Sequence, residues 1–159
     1  MESYNQSTLT KLGVTFKSIQ DNQAKSGYGV LRGLHYQIGN MAQAKLVRVL
    51  QGAILDVAVD IRPNSLTYGQ HLSVMLSAEN KKQLFVPKGF AHGYLSLSDE
   101  TIVFYKCDQY YSPANEGGIR FNDPTINVDW DIDLNKCLIS EKDKRLPYFG
   151  HHRPLSHGS

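Results

Sequence analysis

Apolar and polar residues alternate along this chain in short runs, and turn-forming residues separate one run from the next. Val14-Thr-Phe-Lys-Ser-Ile has period two, which predicts a half-buried strand. Further strands are predicted over residues 29–35, 45–51, 54–61, 69–77, 83–86, 93–98 and 101–108, with another near 118–121. Turn chemistry lies between them, as in Gly39-Asn40, Gln51-Gly52, Arg62-Pro63-Asn64-Ser65 and Pro87-Lys88-Gly89. Ahead of the strands, residues 6–13 predict a short helix that stops at Gly13. Many short strands at regular spacing point to an all-β sandwich or barrel. Periodicity alone does not choose among an immunoglobulin sandwich, a lipocalin and a jelly roll. From Ser112 the chain is richer in Pro, Asn and Asp, which predicts loops and short turns laid over the barrel. Residues 151–159 have almost no apolar content and are expected to form a frayed, flexible tail.

Bulk properties narrow the function classes. The 159 residues suit a single domain, expected over residues 1–150, with room for a core. A net charge of +2, with no long Lys/Arg run, gives no footprint for nucleic acid, yet leaves cations enough for a phosphate-bearing small molecule. No stretch approaches the roughly 18 apolar residues of a spanning helix, and no signal-peptide pattern is present. No membrane partner and a cytoplasmic setting are the corresponding expectations. Cys107 and Cys137 make no disulfide framework and read as free thiols.

Candidate chemistry concentrates in Val30-Leu31-Arg32-Gly33-Leu34-His35-Tyr36-Gln37. Read as a regular strand, it turns Arg32, Leu34 and Tyr36 to one face and Leu31, Gly33 and His35 to the other. The next strand brings Lys45 and Arg48, and His92 opens a later one. Asp56 lies inside an apolar strand, so it needs a partner, and a His or Lys across the barrel would serve. A metal site built on His35 and His92 is a poor fit. Gln37 stands where a second His of a His-x-His pair belongs, and no Glu follows before Gly52. A single His is more often a satisfied core or rim residue than a base. For His35, however, a nearby Lys and late tyrosines suit the removal of a proton from carbon beside a carbonyl. Lys45 would stabilise the resulting enolate, and a Tyr hydroxyl would supply a proton from the opposite face. Tyr105, Tyr110 and Tyr111 are all available for that, and composition does not choose among them.

These segments in order resemble the dTDP-4-dehydrorhamnose 3,5-epimerase family. The likeness runs through Arg32-Gly33-Leu34-His35-Tyr36-Gln37, Lys45-Leu46-Val47-Arg48-Val49 and Asp56-Val57-Ala58-Val59-Asp60-Ile61-Arg62. It continues in Pro87-Lys88-Gly89-Phe90-Ala91-His92-Gly93, Tyr105-Lys106, Tyr110-Tyr111-Ser112-Pro113, Asn122-Asp123-Pro124 and Ser140-Glu141-Lys142-Asp143. The resemblance implies a cupin-like double-stranded β-helix, a jelly-roll barrel that needs no metal or cofactor and works as a homodimer. It implies inversion of C3 and C5 of a dTDP-4-keto-6-deoxyhexose in dTDP-L-rhamnose biosynthesis. Residue by residue, it makes His35 the general base, Asp143 the carboxylate that orients it, Lys45 the enolate stabiliser and Tyr105 the acid. Arg32 matches a diphosphate contact, Gln20 and Asn22 match polar nucleotide contacts, and His92 matches a position lining the sugar pocket. One of Tyr110 and Tyr111 is implied to stack on thymine. Relatives of the same fold that invert only one carbon, or a cupin that binds the sugar nucleotide without turnover, are the alternative readings.

Two departures accompany the likeness. The family's opening Gly-Asp-x-Arg-Gly-Phe-Phe segment is matched only at its end, by Met1–Asn5, and the resemblance therefore leaves nucleotide affinity and dimer packing open. Gln23 stands where the family has His, at the pocket rim.

Overall fold

The computed structural model describes residues 1–155. Helix α1 (Gln6–Lys11) starts where the Asn5 side chain accepts the Thr8 amide at 3.1 Å, and Gly13, at φ +79°, turns the chain away. The strands are β1 (Gln20–Ser26), β2 (Val30–Gln37), β3 (Lys45–Gln51), β4 (Ala53–Asp60), β5 (His71–Ser77), β6 (Gln83–Val86), β7 (Phe90–Ser96) and β8 (Thr101–Cys107). Short strands β9 (Glu116–Gly118) and β10 (Leu138–Ile139) and helix α2 (Glu141–Lys144) complete the set. One sheet runs β1-β8-β3-β6; the other runs β10-β2-β7-β4-β5, with β9 paired to β2. These two sheets, antiparallel but for the β10–β2 pair, face each other as a jelly-roll barrel, in agreement with the all-β, cupin-like expectation.

Two apolar layers hold the barrel. Between the sheets, Val47, Val49 and Val103 of one meet Ile54, Ala58, Leu76 and Tyr94 of the other. On the outer face of the second sheet, Leu31, Leu34, Val57, Val59 and Leu95 are capped by Ile119, Phe121, Ile126 and Trp130 from the loop-rich C-terminal segment. The Trp130 indole N–H donates to the Phe121 carbonyl at 2.9 Å, so that cap is satisfied as well as apolar. Strand β4, buried on both faces, is apolar on both, with Asp56 set within it.

Three expectations are corrected. Val14–Ile19 is not a strand: its alternation comes from Phe16, which plugs a small cluster with Ala44 and Leu46 and meets Phe85 edge-on at 5.7 Å. Pairing starts at Gln20, in a strand so polar (Gln-Asp-Asn-Gln-Ala-Lys-Ser) that hydropathy gives no sign of it. Second, β2 does not alternate strictly. Its register against β7 shifts between Arg32 and His35, so both line one cavity, while Leu31, Leu34 and Tyr36 enter the outer core. Third, His151–Leu155 do not fray: Leu155 packs on the outer core and the Tyr36 hydroxyl donates to the Arg153 carbonyl. Residues 156–159, the rest of the expected flexible tail, lie outside the described residues.

The shift in β2 depends on Gly33. Its φ is +115°, and a Cβ there would lie 2.6 Å from the Gly93 Cα and 2.8 Å from the His92 carbonyl oxygen. Gly33→Ala is expected to lose about 3 kcal/mol of stability, from backbone strain plus the clash with β7. Urea unfolding measures this, and a wild-type midpoint would show that the two strands can separate there.

Candidate active site

A cavity of about 610 Å³ opens between the sheets, lined by β1, β2, β3, β7 and β8 and by residues from the C-terminal segment. Its polar wall explains the polarity of β1: Gln20, Asn22 and Ala24 face the cavity rather than the core.

His35 is held from one side by Asp143, with Nε2 and Oδ1 2.8 Å apart. Asp143 is itself fixed: the Gly33 N–H donates to its Oδ2 at 3.0 Å, and Ser140 caps α2 by accepting the Asp143 N–H at 3.0 Å. Burial alone would raise this carboxyl's pKa. The hydrogen bonds from His35 and Gly33 outweigh it and hold the group below the usual carboxylate range. An ionised carboxylate only accepts, so Nε2 carries the proton and the lone pair of the neutral ring sits on Nδ1. Nδ1 makes no hydrogen bond, and Glu116 Oε1 stands 3.4 Å from it.

A second His–carboxylate pair lies beside the first, on the neighbouring strand β7. His92 Nε2 and Asp56 Oδ1 are 2.7 Å apart, both residues are buried, and His92 is opposite His35 in the β2–β7 register. The partner that buried Asp56 requires is thus a histidine. Lys45 lines the same cavity. Burial lowers its pKa, partly offset by Cys107, Asp56 and Glu116, and no hydrogen bond among the described residues engages its ammonium. Tyr105 stands beside it, its ring centroid 5.8 Å from Nζ, and burial pushes the phenol up to about 12. Arg32 Nε donates to Ser26 Oγ at 3.4 Å and leaves most of its guanidinium open to the cavity.

The structure brings His35, Asp143, Lys45, Tyr105, Arg32, Gln20, Asn22 and His92 together around this one space. It separates the two adjacent tyrosines. Tyr111 lines the cavity and donates its hydroxyl to Glu116 at 3.2 Å, and its amide donates to Gln20 at 3.0 Å. Tyr110 is not among the lining residues; its carbonyl instead accepts a bond from Gln37. Glu116 and Lys142, which pair with each other, are cavity residues that sequence reasoning did not single out. The only trace of Glu116 is a charged residue ahead of Gly117-Gly118, and Lys142 is hidden as an ordinary charge on a capped helical turn.

An imidazole with one ring nitrogen free of hydrogen bonds, an unpaired cation and a weak acid about one ring-sized space are what inverting a carbon beside a carbonyl requires. Barrel and site together therefore define an isomerase of the epimerase class. The family model described as dTDP-4-dehydrorhamnose 3,5-epimerase matches residues 1–151. The enzyme of that name from Salmonella typhimurium is 54% identical over 149 residues, covering 92% of this chain and 80% of its own. The crystal structure of the Elizabethkingia anophelis dTDP-4-dehydrorhamnose 3,5-epimerase superposes with a TM-score of 0.91 at 49% identity, over 94% of this chain and 82% of that one. The Legionella pneumophila dTDP-6-deoxy-D-glucose-3,5-epimerase, solved in complex with dTDP-4-keto-L-rhamnose, gives 0.91 at 42% identity, over 98% and 85%. The chain belongs to the dTDP-4-dehydrorhamnose 3,5-epimerase family.

Proposed function

We propose that this chain inverts C3 and C5 of dTDP-4-keto-6-deoxy-D-glucose to give dTDP-4-keto-L-rhamnose, with His35 as the base for both carbons. The observation that carries this reading is the His35–Asp143 dyad, whose Nδ1 is free of hydrogen bonds, in a cavity shared with an unpaired Lys45. The 4-keto group acidifies both neighbouring C–H bonds. Nδ1 takes the proton from carbon, the electron pair moves onto the ketone oxygen, and Lys45 stabilises that oxyanion. Tyr105, protonated at neutral pH by a wide margin, delivers a proton to the opposite face as the C=C electrons return to carbon. Arg32 meets the diphosphate, Gln20 and Asn22 the nucleoside, Tyr111 stacks on thymine, and His92, oriented by Asp56, lines the sugar pocket. Lys142 and Glu116 complete the wall around the base. A homodimer in the cytoplasm fits this reading. Strand β5 ends its sheet, with Leu72 and Met75 more than half exposed on its two faces. No helix among the described residues is long and apolar enough to cross a membrane.

The deciding experiment incubates the protein with this ketosugar nucleotide in D₂O and follows C3 and C5 by NMR. Deuterium at both carbons with inverted product is expected; binding without exchange would reject catalysis, and inversion at one carbon would make it a mono-epimerase. Tyr105→Phe should separate the half-steps, exchanging deuterium while net inversion falls by about 10²-fold. Full inversion in that variant would assign the acid elsewhere. Tyr111→Ala is expected to raise KM about tenfold, the stacking of one base, whereas Tyr110→Ala leaves it unchanged. Steady-state kinetics on both variants checks the assignment, and the reverse pattern would exchange their roles.

A further inference from the structure

We infer that Arg153 is a positioning residue, holding Glu116 against His35 from the outer side of the barrel wall. It lies beyond the residues that the family model matches, and the inference rests on the reading of His35 as the base.

Strand β9 is three residues long and pairs with β2 on one side. Gly117 and Gly118 give it no side chains, so little within the strand itself locks the Glu116 backbone. The lock comes from the C-terminal segment. A Cβ on Gly117 would fall 2.5 Å from the ring of Tyr36, which shows how closely that ring covers the strand. The Tyr36 hydroxyl donates to the Arg153 carbonyl, and burial pushes its pKa far up, so it stays a donor. The Arg153 guanidinium then turns back over β9, where Nη1 donates to the carbonyls of Ala114 at 2.7 Å and Glu116 at 3.3 Å.

The segment carrying Arg153 is anchored on both sides. Upstream, the Phe149 amide donates to Asp123 Oδ2 at 2.7 Å, and the Phe149 ring stacks on His152 at 5.1 Å. Downstream, Leu155 packs on the outer core. Arg153 is therefore a fixed point outside the wall.

Inside the wall, the side chain of the same Glu116 pairs with Lys142, accepts from the Tyr111 hydroxyl and stands 3.4 Å from His35 Nδ1. Clamping the carbonyl of Glu116 thus sets where its carboxylate can reach. Drift of β9 by about 1 Å would take that charge from the ring edge, where it stabilises the imidazolium formed when His35 takes a proton, and a displacement of that size can cost about 10²-fold in rate. Arg153 itself is exposed and is not among the residues lining the cavity, which it meets only through the Glu116 carbonyl.

The test uses the full chain and dTDP-4-keto-6-deoxy-D-glucose. Arg153→Ala is expected to lower kcat about tenfold with KM changed less than about twofold, and Arg153→Lys, which keeps a cationic donor, to recover most of the loss. In a Glu116→Gln background, Arg153→Ala should add less than about twofold, because the two residues act through one path. Wild-type kcat in Arg153→Ala, or the full loss repeated in the Glu116→Gln background, overturns the inference. If the alanine variant does not fold, Arg153→Gln, which cannot span both carbonyls, carries the same comparison: a lowered kcat supports the inference and wild-type kcat overturns it. Absence of deuterium exchange in the wild-type chain defeats the base reading and this inference with it. A normal wild type beside an unaffected Arg153→Ala defeats this inference alone.

Discussion

In a Lys45→Ala variant, deuterium wash-in at C3 and at C5 of the ketosugar is expected to fall together, each by about 10³-fold. The two protons leave from different carbons, but both enolates place their charge on the same 4-oxygen. A group that stabilises that oxygen is therefore used twice. Lys45 suits the task because its half-buried side chain lines the cavity and no hydrogen bond among the described residues engages its ammonium. Burial disfavours its charged form, so the resting site carries a cation that gains most when an oxyanion arrives. Its pKa is lowered, so the charged form is full below that pKa and disappears as pH rises through it. The alkaline limb of kcat/KM should accordingly begin at lower pH than a solvent-exposed lysine would give. Tyr105, raised to about 12, stays protonated through that range and does not produce the limb. Exchange that fails at one carbon and survives at the other would show that the enolates do not share Lys45.

Asp143→Asn is expected to lower turnover by about 10³- to 10⁴-fold with little change in fold, for a reason of tautomers rather than of contact. In the native site an ionised Asp143 forces the ring proton onto Nε2 and leaves the Nδ1 lone pair for substrate. An asparagine amide can present its N–H₂ to Nε2, which places the ring proton on Nδ1 and removes the base while keeping a hydrogen bond. The variant also loses the negative charge that stabilises the imidazolium formed on proton transfer. A near-wild-type exchange rate would mean that Asp143 supports the loop rather than the base. Because the native carboxyl titrates below its ordinary range, the dyad persists as pH falls through the mildly acidic region. It is lost only when Asp143 itself protonates.

Much of the architecture was legible in the residue pattern. Seven of the predicted strands coincide with β2 to β8 to within a few residues, since each buries at least one face and shows it as period two or as an apolar run. Strand β1 was missed because its inward positions, Gln20, Asn22 and Ala24, face the cavity rather than a core, so function erased the hydropathic signal. Val14–Ile19 misled for the opposite reason: one anchored aromatic, Phe16, produces alternation without any ladder. In β2, simple alternation put Arg32 and His35 on opposite faces. The shifted register at Gly33 returns them to the same one, and nothing in a period of two announces such a shift.

By itself, then, the sequence determined strands β2 to β8, the all-β class and a set of candidate groups, His35, Lys45 and the late tyrosines among them. It did so because burial and side-chain type are properties each residue carries locally. Only the tertiary structure decided which groups meet: Asp143 with His35 across 108 positions, Asp56 with His92, Glu116 beside Nδ1, and Tyr111 rather than Tyr110 at the cavity. Those pairings are set by sheet register and by where the C-terminal segment folds back. They also set which nitrogen holds the lone pair, a consequence of distance and direction that no single stretch of chain encodes.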